Sequence, residues 1–269
     1  MSLQFALNHM TTPSLKIADF FDLTLSLGIR AVEIRNDLAG NAILDGTAPE
    51  EIRKLAEDRG IEIISINALQ RFNEWNETRA READELIAYA HACGARALVL
   101  VPKNDGTGQE DGQRQQNLRE ALTALKPRLE ATGIIGLVEP LGFEICSLRS
   151  KQEAADAIRA VGGGEVFRLV HDTFHHHLAG EPALFPELTG LVHISGVTDP
   201  DVSVSDMRDS HRVLVDGDDR LDNAGQIRAL DADGYRGPLS FEPFAETVHA
   251  LADPGAAVKA SMTYISVAI

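Results

Sequence analysis

Five glycines, Gly28, Gly60, Gly94, Gly133 and Gly234, each follow a stretch with apolar residues at helical spacing and precede a short apolar run. A helix often ends on a left-handed residue, and glycine takes that conformation without a Cβ clash. The Gly162–Gly164 run serves the same purpose. Helix, glycine, strand, repeated at intervals of roughly 30 residues, is the pattern of stacked βα units. The strand candidates are residues 3–7, 31–35, 61–66, 97–101, 134–139, 167–172, 191–194 and 239–242. Between them run helical stripes such as Leu15, Ala18, Phe21, Leu25 and Ala83, Leu86, Ile87, Ala90. Eight evenly spaced units favour a closed (β/α)8 TIM barrel over an open doubly wound sheet. The 269 residues match one such barrel, read here as a single domain over 1–269. The seventh unit is the irregular one, with a long polar loop over 196–222.

The composition narrows the partners. There are 41 acidic and 25 basic residues, a formal net charge of −16. Such a surface repels nucleic-acid phosphates and anionic lipid, so neither is an expected partner. Cys93 and Cys146 form no disulfide framework. The first residues lack a basic region, and their apolar stretch breaks at Asn8 and His9, which argues against a signal peptide. These features give the expectation of a cytoplasmic protein. The oligomeric state is left open.

Barrel active sites lie at the C-terminal ends of the strands. The last four strand candidates end on Glu139 in "GLVEP", Asp172 in "RLVHDTFHHH", His193 in "LVHIS" and Glu242 in "SFEPF". A single strand-end glutamate is usually a solvated loop residue. Here Glu139 and Glu242 each follow an almost wholly apolar strand and precede a proline, which stops the strand and fixes the carboxylate at the rim. Three carboxylates this close cannot all stay charged in a partly dry site without a cation. Three oxygen ligands and one imidazole suit one divalent ion; Mn2+ is favoured, and Zn2+, Co2+ or Mg2+ also fit. His175 faces the same rim, three residues past Asp172. His171, adjacent to Asp172 in the strand, points to the other face and packs against a helix. His176 and His177 read as loop histidines.

At these residues the chain resembles the xylose isomerase-like barrels, most of all the bacterial inosose isomerases among them. The resemblance spans essentially the whole chain and is carried by "EIR" at Glu33–Arg35, "NAL" at Asn67–Leu69, "FN" at Phe72–Asn73, "VP" at Val101–Pro102, "DTFH" at Asp172–His175, "HI" at His193–Ile194, "HRV" at His211–Val213 and "FEPF" at Phe241–Phe244. It implies a metal held by Glu139, Asp172, His193 and Glu242, with His175 and Arg212 contacting substrate oxygens. It further implies isomerisation of a small polyol ketone, an inosose above all, with Glu139 and Glu242 moving a proton between adjacent carbons through a metal-stabilised enediolate. Arg35, Asn67 and Asn8, near the ends of strands two, three and one, are candidates for binding hydroxyls. Inosose dehydratases and ketose 3-epimerases use the same kind of site. An endonuclease IV-type phosphodiesterase fits poorly, since it needs more ligands and a basic groove. The chain departs from its relatives at Ser195–Gly196, where they often carry an acid, and in a short connection from Asp172 to His193.

Overall fold

A computed structural model describes residues 3–269. Its strands are β1 (Phe5–Asn8), β2 (Ala31–Arg35), β3 (Glu62–Gln70), β4 (Ala97–Val101), β5 (Ile135–Val138), β6 (Phe167–Asp172), β7 (Thr189–Ile194) and β8 (Leu239–Phe241). Each pairs in parallel with the next, and β1 pairs with β8 through Phe5, Ala6 and Leu7, so the sheet closes on itself in chain order. The helices around it are α1 (Ile17–Ser26), α2 (Pro49–Arg59), α3 (Glu77–Cys93), α4 (Gln113–Thr132), α5 (Lys151–Ala160), α6 (Thr173–Ala179), α7 (Asn223–Ala232), α8 (Glu246–His249) and α9 (Pro254–Ala268). α4 ends on Gly133 at φ 73°, the left-handed stop that its position in the sequence predicts.

Strand alternation divides the apolar residues into two cores. Ala68, Ala97, Val99, Leu137, Val170 and Leu191 pack together inside the barrel. A larger set, among them Phe20, Ile63, Leu98, Phe167 and Leu169, seals the strands to the helices. The inner core fills the barrel below its C-terminal mouth and leaves that mouth to polar side chains. No helix among the described residues is long and apolar enough to cross a membrane. Both cysteines are buried and free.

Some boundaries differ from the sequence reading. β1 begins at Phe5 and reaches Asn8, while β3 continues to Gln70, well past its expected end. β5 and β8 stop one residue short of Glu139 and Glu242. Both glutamates still donate their amides to the preceding strand in the barrel order or to its end, Glu139 to the Leu100 carbonyl at 3.1 Å and Glu242 to the Ile194 carbonyl at 3.0 Å. Pro140 and Pro243 have no N–H to continue the ladder, so pairing ends there. The seventh unit is irregular as expected: two 3-10 turns, Val204–Asp206 and Asp209–His211, and one antiparallel bridge between Gly196 and Val213 precede α7. His176 and His177 lie on the short helix α6 and not in a loop, because the Asp172 side chain caps the backbone at that point.

His171 points out of the barrel, as its parity requires. Its Nδ1 lies 2.9 Å from Lys151 Nζ, and its Nε2 lies 2.8 Å from Gln226 Oε1. Lys151 is 4% exposed, and burial lowers its pKa from 10.5 to about 7 against the pull of Glu181. The unfolded chain therefore binds one more proton than the folded chain between about pH 7 and 10, and this lysine makes stability rise with pH across that window. Lys151→Met should flatten the rise. Denaturant titrations of both proteins across that range check it, and equal pH slopes would contradict it.

Candidate metal centre

The strand ends bring Glu139, Asp172, His193 and Glu242 together in the barrel mouth. One ligand atom from each lies within 4.8 Å of all the others, and all four residues are buried. His193 Nδ1 is 2.8 Å from Glu139 Oε1, 3.2 Å from Glu242 Oε2 and 3.8 Å from Asp172 Oδ2. Asp172 divides its oxygens between two tasks. Oδ1 accepts the amides of Phe174 and His175 at 2.8 and 3.0 Å, capping α6, and Oδ2 is left toward the cluster.

Beneath them sits Glu33 of β2, fully buried, which the sequence reading did not single out. Ser65 and Ser240 donate their hydroxyls to it at 2.5 Å, and the Asn67 amide donates at 2.7 Å. His193 Nε2 lies 3.1 Å from Glu33 Oε1. A carboxylate with this many donors stays ionised. Burial works the other way, but His193, Ser240 and Ser65 outweigh it and hold Glu33 down at about 2. When His193 is neutral, an ionised Glu33 accepts a hydrogen bond from Nε2–H, which turns the Nδ1 lone pair toward the three strand-end carboxylates. Histidine ligands are commonly fixed this way, by a carboxylate on the other nitrogen.

The charges do not balance within the protein. Burial pushes the Glu139 carboxyl upward against His193, and the charges of Glu242 and Asp172 add to the push. Asp172 goes the other way: burial opposes its charge, but Arg212, His175 and His193 hold it at about 2. Burial also opposes a charge on His193, yet Glu242, Glu33 and Glu139 overcome it and raise its pKa well above 6.5. Four buried carboxylates face two buried guanidiniums, Arg35 and Arg212. With His193 neutral, as a ligand must be, the two negative charges left over equal the charge of one divalent cation, and the donor set fits such an ion; without the ion a proton on His193 offsets one of them.

Above the cluster opens a cavity of about 450 Å3, lined by Glu139, Glu242, His175, Arg212, Arg35 and Asn67 among others. Arg212 is 2% exposed. Its Nη2 donates to Asp172 Oδ2 at 2.7 Å and Glu242 Oε2 at 3.0 Å, its Nε to Ser195 Oγ at 2.9 Å, and its plane lies over Phe244. Arg35 donates to Glu242 Oε1 at 2.9 Å and grips Asp37 with two nitrogens. His175 is buried with its Nδ1 unpartnered, and its ring meets the edge of Phe143. Asn67 reaches both the cavity and Glu33. Asn8 is brought to the cluster but not to the cavity lining. It is fully buried, its amide nitrogen lies between Glu33 and Glu242 at 3.3 and 3.2 Å, and its oxygen accepts the Met10 amide. Ser195 is the hydroxyl that receives Arg212.

A closed eight-stranded barrel with this cluster at its C-terminal mouth defines a class of protein, and comparison with known proteins gives the same class. The chain belongs to the xylose isomerase-like TIM barrel family, whose model matches residues 21–266. It is similar to a xylose isomerase domain-containing protein from Salmonella typhimurium LT2, at 34% identity and a TM-score of 0.90 over 100% of this chain and 99% of that one. An inosose isomerase from Bacillus velezensis is 27% identical over 191 residues, 68% of each chain. The fold also matches that of the IolI protein solved with a bound zinc atom, with a TM-score of 0.87 at 21% identity over 99% of this chain and 98% of that one.

Glu33→Gln keeps the shape of the side chain but removes the negative charge behind His193. Divalent-ion affinity should fall about 10- to 100-fold, as measured by competition against a chelator. An unchanged affinity would show that Glu33 does not set the ligand.

Proposed function

We propose that the protein is a metal-dependent isomerase of a neutral polyol ketone, with an inosose, 2-keto-myo-inositol, as its substrate. The observation that carries this reading is the joint placement of Glu139, Asp172, His193 and Glu242 around one point at the floor of a polar cavity. The similarity to an inosose isomerase supports the substrate. A divalent ion held by these four residues, Mn2+ being well matched to three oxygens and one nitrogen, would supply a Lewis acid for the ketone oxygen and a neighbouring hydroxyl.

The proton is moved by the two glutamates. Glu139 lines the cavity and, among the described residues, has His193 as its one side-chain partner, so it is the less braced of the two carboxylates and the one placed to take and return a proton. Glu242 is braced on both oxygens by Asn8, Arg35 and Arg212. It comes from a strand three places round the barrel and serves the second carbon. Arg212 and His175 orient the substrate and the oxygen on which charge develops. Arg35 and Asn67 line the wall available to hydroxyls.

The cavity favours a neutral substrate. Each of its arginines is already matched: Arg35 to Asp37 and Glu242, Arg71 to Glu74 and Asp105, Arg212 to Asp172, Glu242 and Asp209. No unmatched guanidinium in that lining remains for a phosphate dianion.

The test is deuterium uptake from D2O by inososes and ketohexoses with metal-loaded protein, the products then distinguishing isomerisation from epimerisation or loss of water. The wild type should label the carbon next to the carbonyl. Arg212→Ala and Arg212→Lys should both lose about 100-fold or more in rate, because a single ammonium cannot replace the fork. Both should keep their metal, since removing or shifting a cation beside Asp172 and Glu242 does not weaken their hold on another. A ketose phosphate should show a lower kcat/KM than the free ketose. No labelling of any neutral ketone, or a preference for the phosphate, would overturn this reading.

A further inference from the structure

A second compartment opens beside the cavity, between the loop that follows β5 and the 3-10 turn Val204–Asp206 that follows β7. Its volume is about 510 Å3, and it shares Asn104, Phe143 and Asp209 with the metal cavity. Phe143 is the partition. Its ring stands edge-on to His175 at 5.0 Å between centroids and to Phe174 at 5.9 Å.

The wall is a fixed part of the fold. A Cβ at Gly142 would overlap the carbonyl oxygen of His175 and lie 2.6 Å from Leu178 Cβ, so the loop rests directly on α6. Arg149 pins the two together, donating Nε to the Gly142 carbonyl at 2.7 Å and Nη2 to the Leu178 carbonyl at 2.6 Å. Beneath the opposite lip, Met207 and Val197 pack with Phe174, Leu178 and Leu221 as a separate small core, with Phe143 against it.

The lining has features of a ligand site. Ile145 and Val204, 51% and 42% exposed, both line this groove and present apolar surface that nothing among the described residues covers. Arg208 donates to the carbonyls of Ser205 and Met207 and, in a chain of net charge −16, makes no ion pair among the described residues. Its neighbour Asp209 is turned toward Arg212 at 3.2 Å. At the junction of the compartments, Asn104 Oδ1 is buried without a donor among the described residues. Continuity with the cavity, and an unsatisfied acceptor where the two meet, favour one ligand spanning both over a separate partner.

We propose that the groove takes an apolar ring joined through oxygen to the ketopolyol in the metal cavity. The substrate class is then a substituted ketopolyol, such as a keto-sugar carrying an aryl group. The ring packs on Phe143, Ile145 and Val204, Arg208 lies over its face, and the Asn104 amide, turned toward the junction, accepts a hydroxyl near the linkage. This inference rests on the reading of the cavity as a ketopolyol site and replaces the free inosose there by a ring-substituted ketopolyol.

The test compares the methyl and phenyl glycosides of one 3-ketohexose on the metal-loaded protein, by calorimetric binding and by deuterium uptake. The phenyl compound should be preferred about tenfold or more, the expected scale for burying one ring. Ile145→Arg and Val204→Arg should bring the phenyl-to-methyl ratio close to one, and Ile145→Ser serves if either arginine unfolds the chain. A ratio near one in the wild type, or a ratio that survives in the folded variants, overturns the proposal. Selective binding without deuterium uptake upholds the groove and overturns the isomerase reading. A wild-type dimer that these substitutions dissociate, seen by sedimentation, assigns the groove to a second copy and also overturns the proposal.

Discussion

Four carboxylates buried around one imidazole would repel one another strongly in a low-dielectric interior, and much of the barrel mouth is arranged to contain that repulsion. Glu33 is held by serine and asparagine donors, Asp172 by two backbone amides and Arg212, and Glu242 by Asn8 and two arginines. Glu139 is left with His193. The residual charge stays at the point where the four ligand atoms converge, which makes that point the natural place for a cation. Arg212 bridges Asp172 Oδ2 and Glu242 Oε2, Arg35 holds Glu242 Oε1, and both soften the field of the carboxylates.

The barrel makes this possible through its ladder. Glu139, Asp172 and Glu242 arrive at strand ends, Glu33 comes from within β2, and the inner core of small and branched residues lies below them. Beyond Glu139 and Glu242 a proline stops the pairing, so the backbone turns away and the carboxylate stays at the rim. Aromatic side chains then close the sides. The Arg212 guanidinium lies over the rings of both Phe174 and Phe244, contacts that help hold its fork against Asp172 and Glu242. Substrate-facing groups are thus positioned by the same residues that stabilise the charges.

The barrel and the four clustered residues were legible because their signals are local. Glycine stops, helical stripes and short apolar runs ending in an acid can each be read within a few residues, and parity alone sends Asp172 inward and His171 outward. Glu33 was missed although "AVEIR" carries a signal. Glu33 and Arg35 alternate with Val32 and Ile34, and the closed barrel turns the polar pair inward, the reverse of the usual expectation for a half-exposed strand. Asn8 was placed correctly at a strand end, but its hydrogen bonds are to side chains 25 and 234 residues away, and no local pattern reports them. The groove beside the cavity was illegible for the same reason, since its lips come from loops after β5 and β7 that meet only when the barrel closes. The irregular loop over 196–222 could be recognised as unusual, but its contribution of Arg212 to two of the clustered carboxylates depends on tertiary packing.

The central claim is that unbalanced buried charge, shared among these four residues, holds one divalent ion. Elemental analysis of the purified protein after dialysis tests it most directly, run in parallel on Glu139→Gln, Asp172→Asn, His193→Ala and Glu242→Gln. The account predicts close to one equivalent per chain in the wild type and a clear loss in each variant, since each removes one donor. Metal content unchanged in all four folded variants would contradict it.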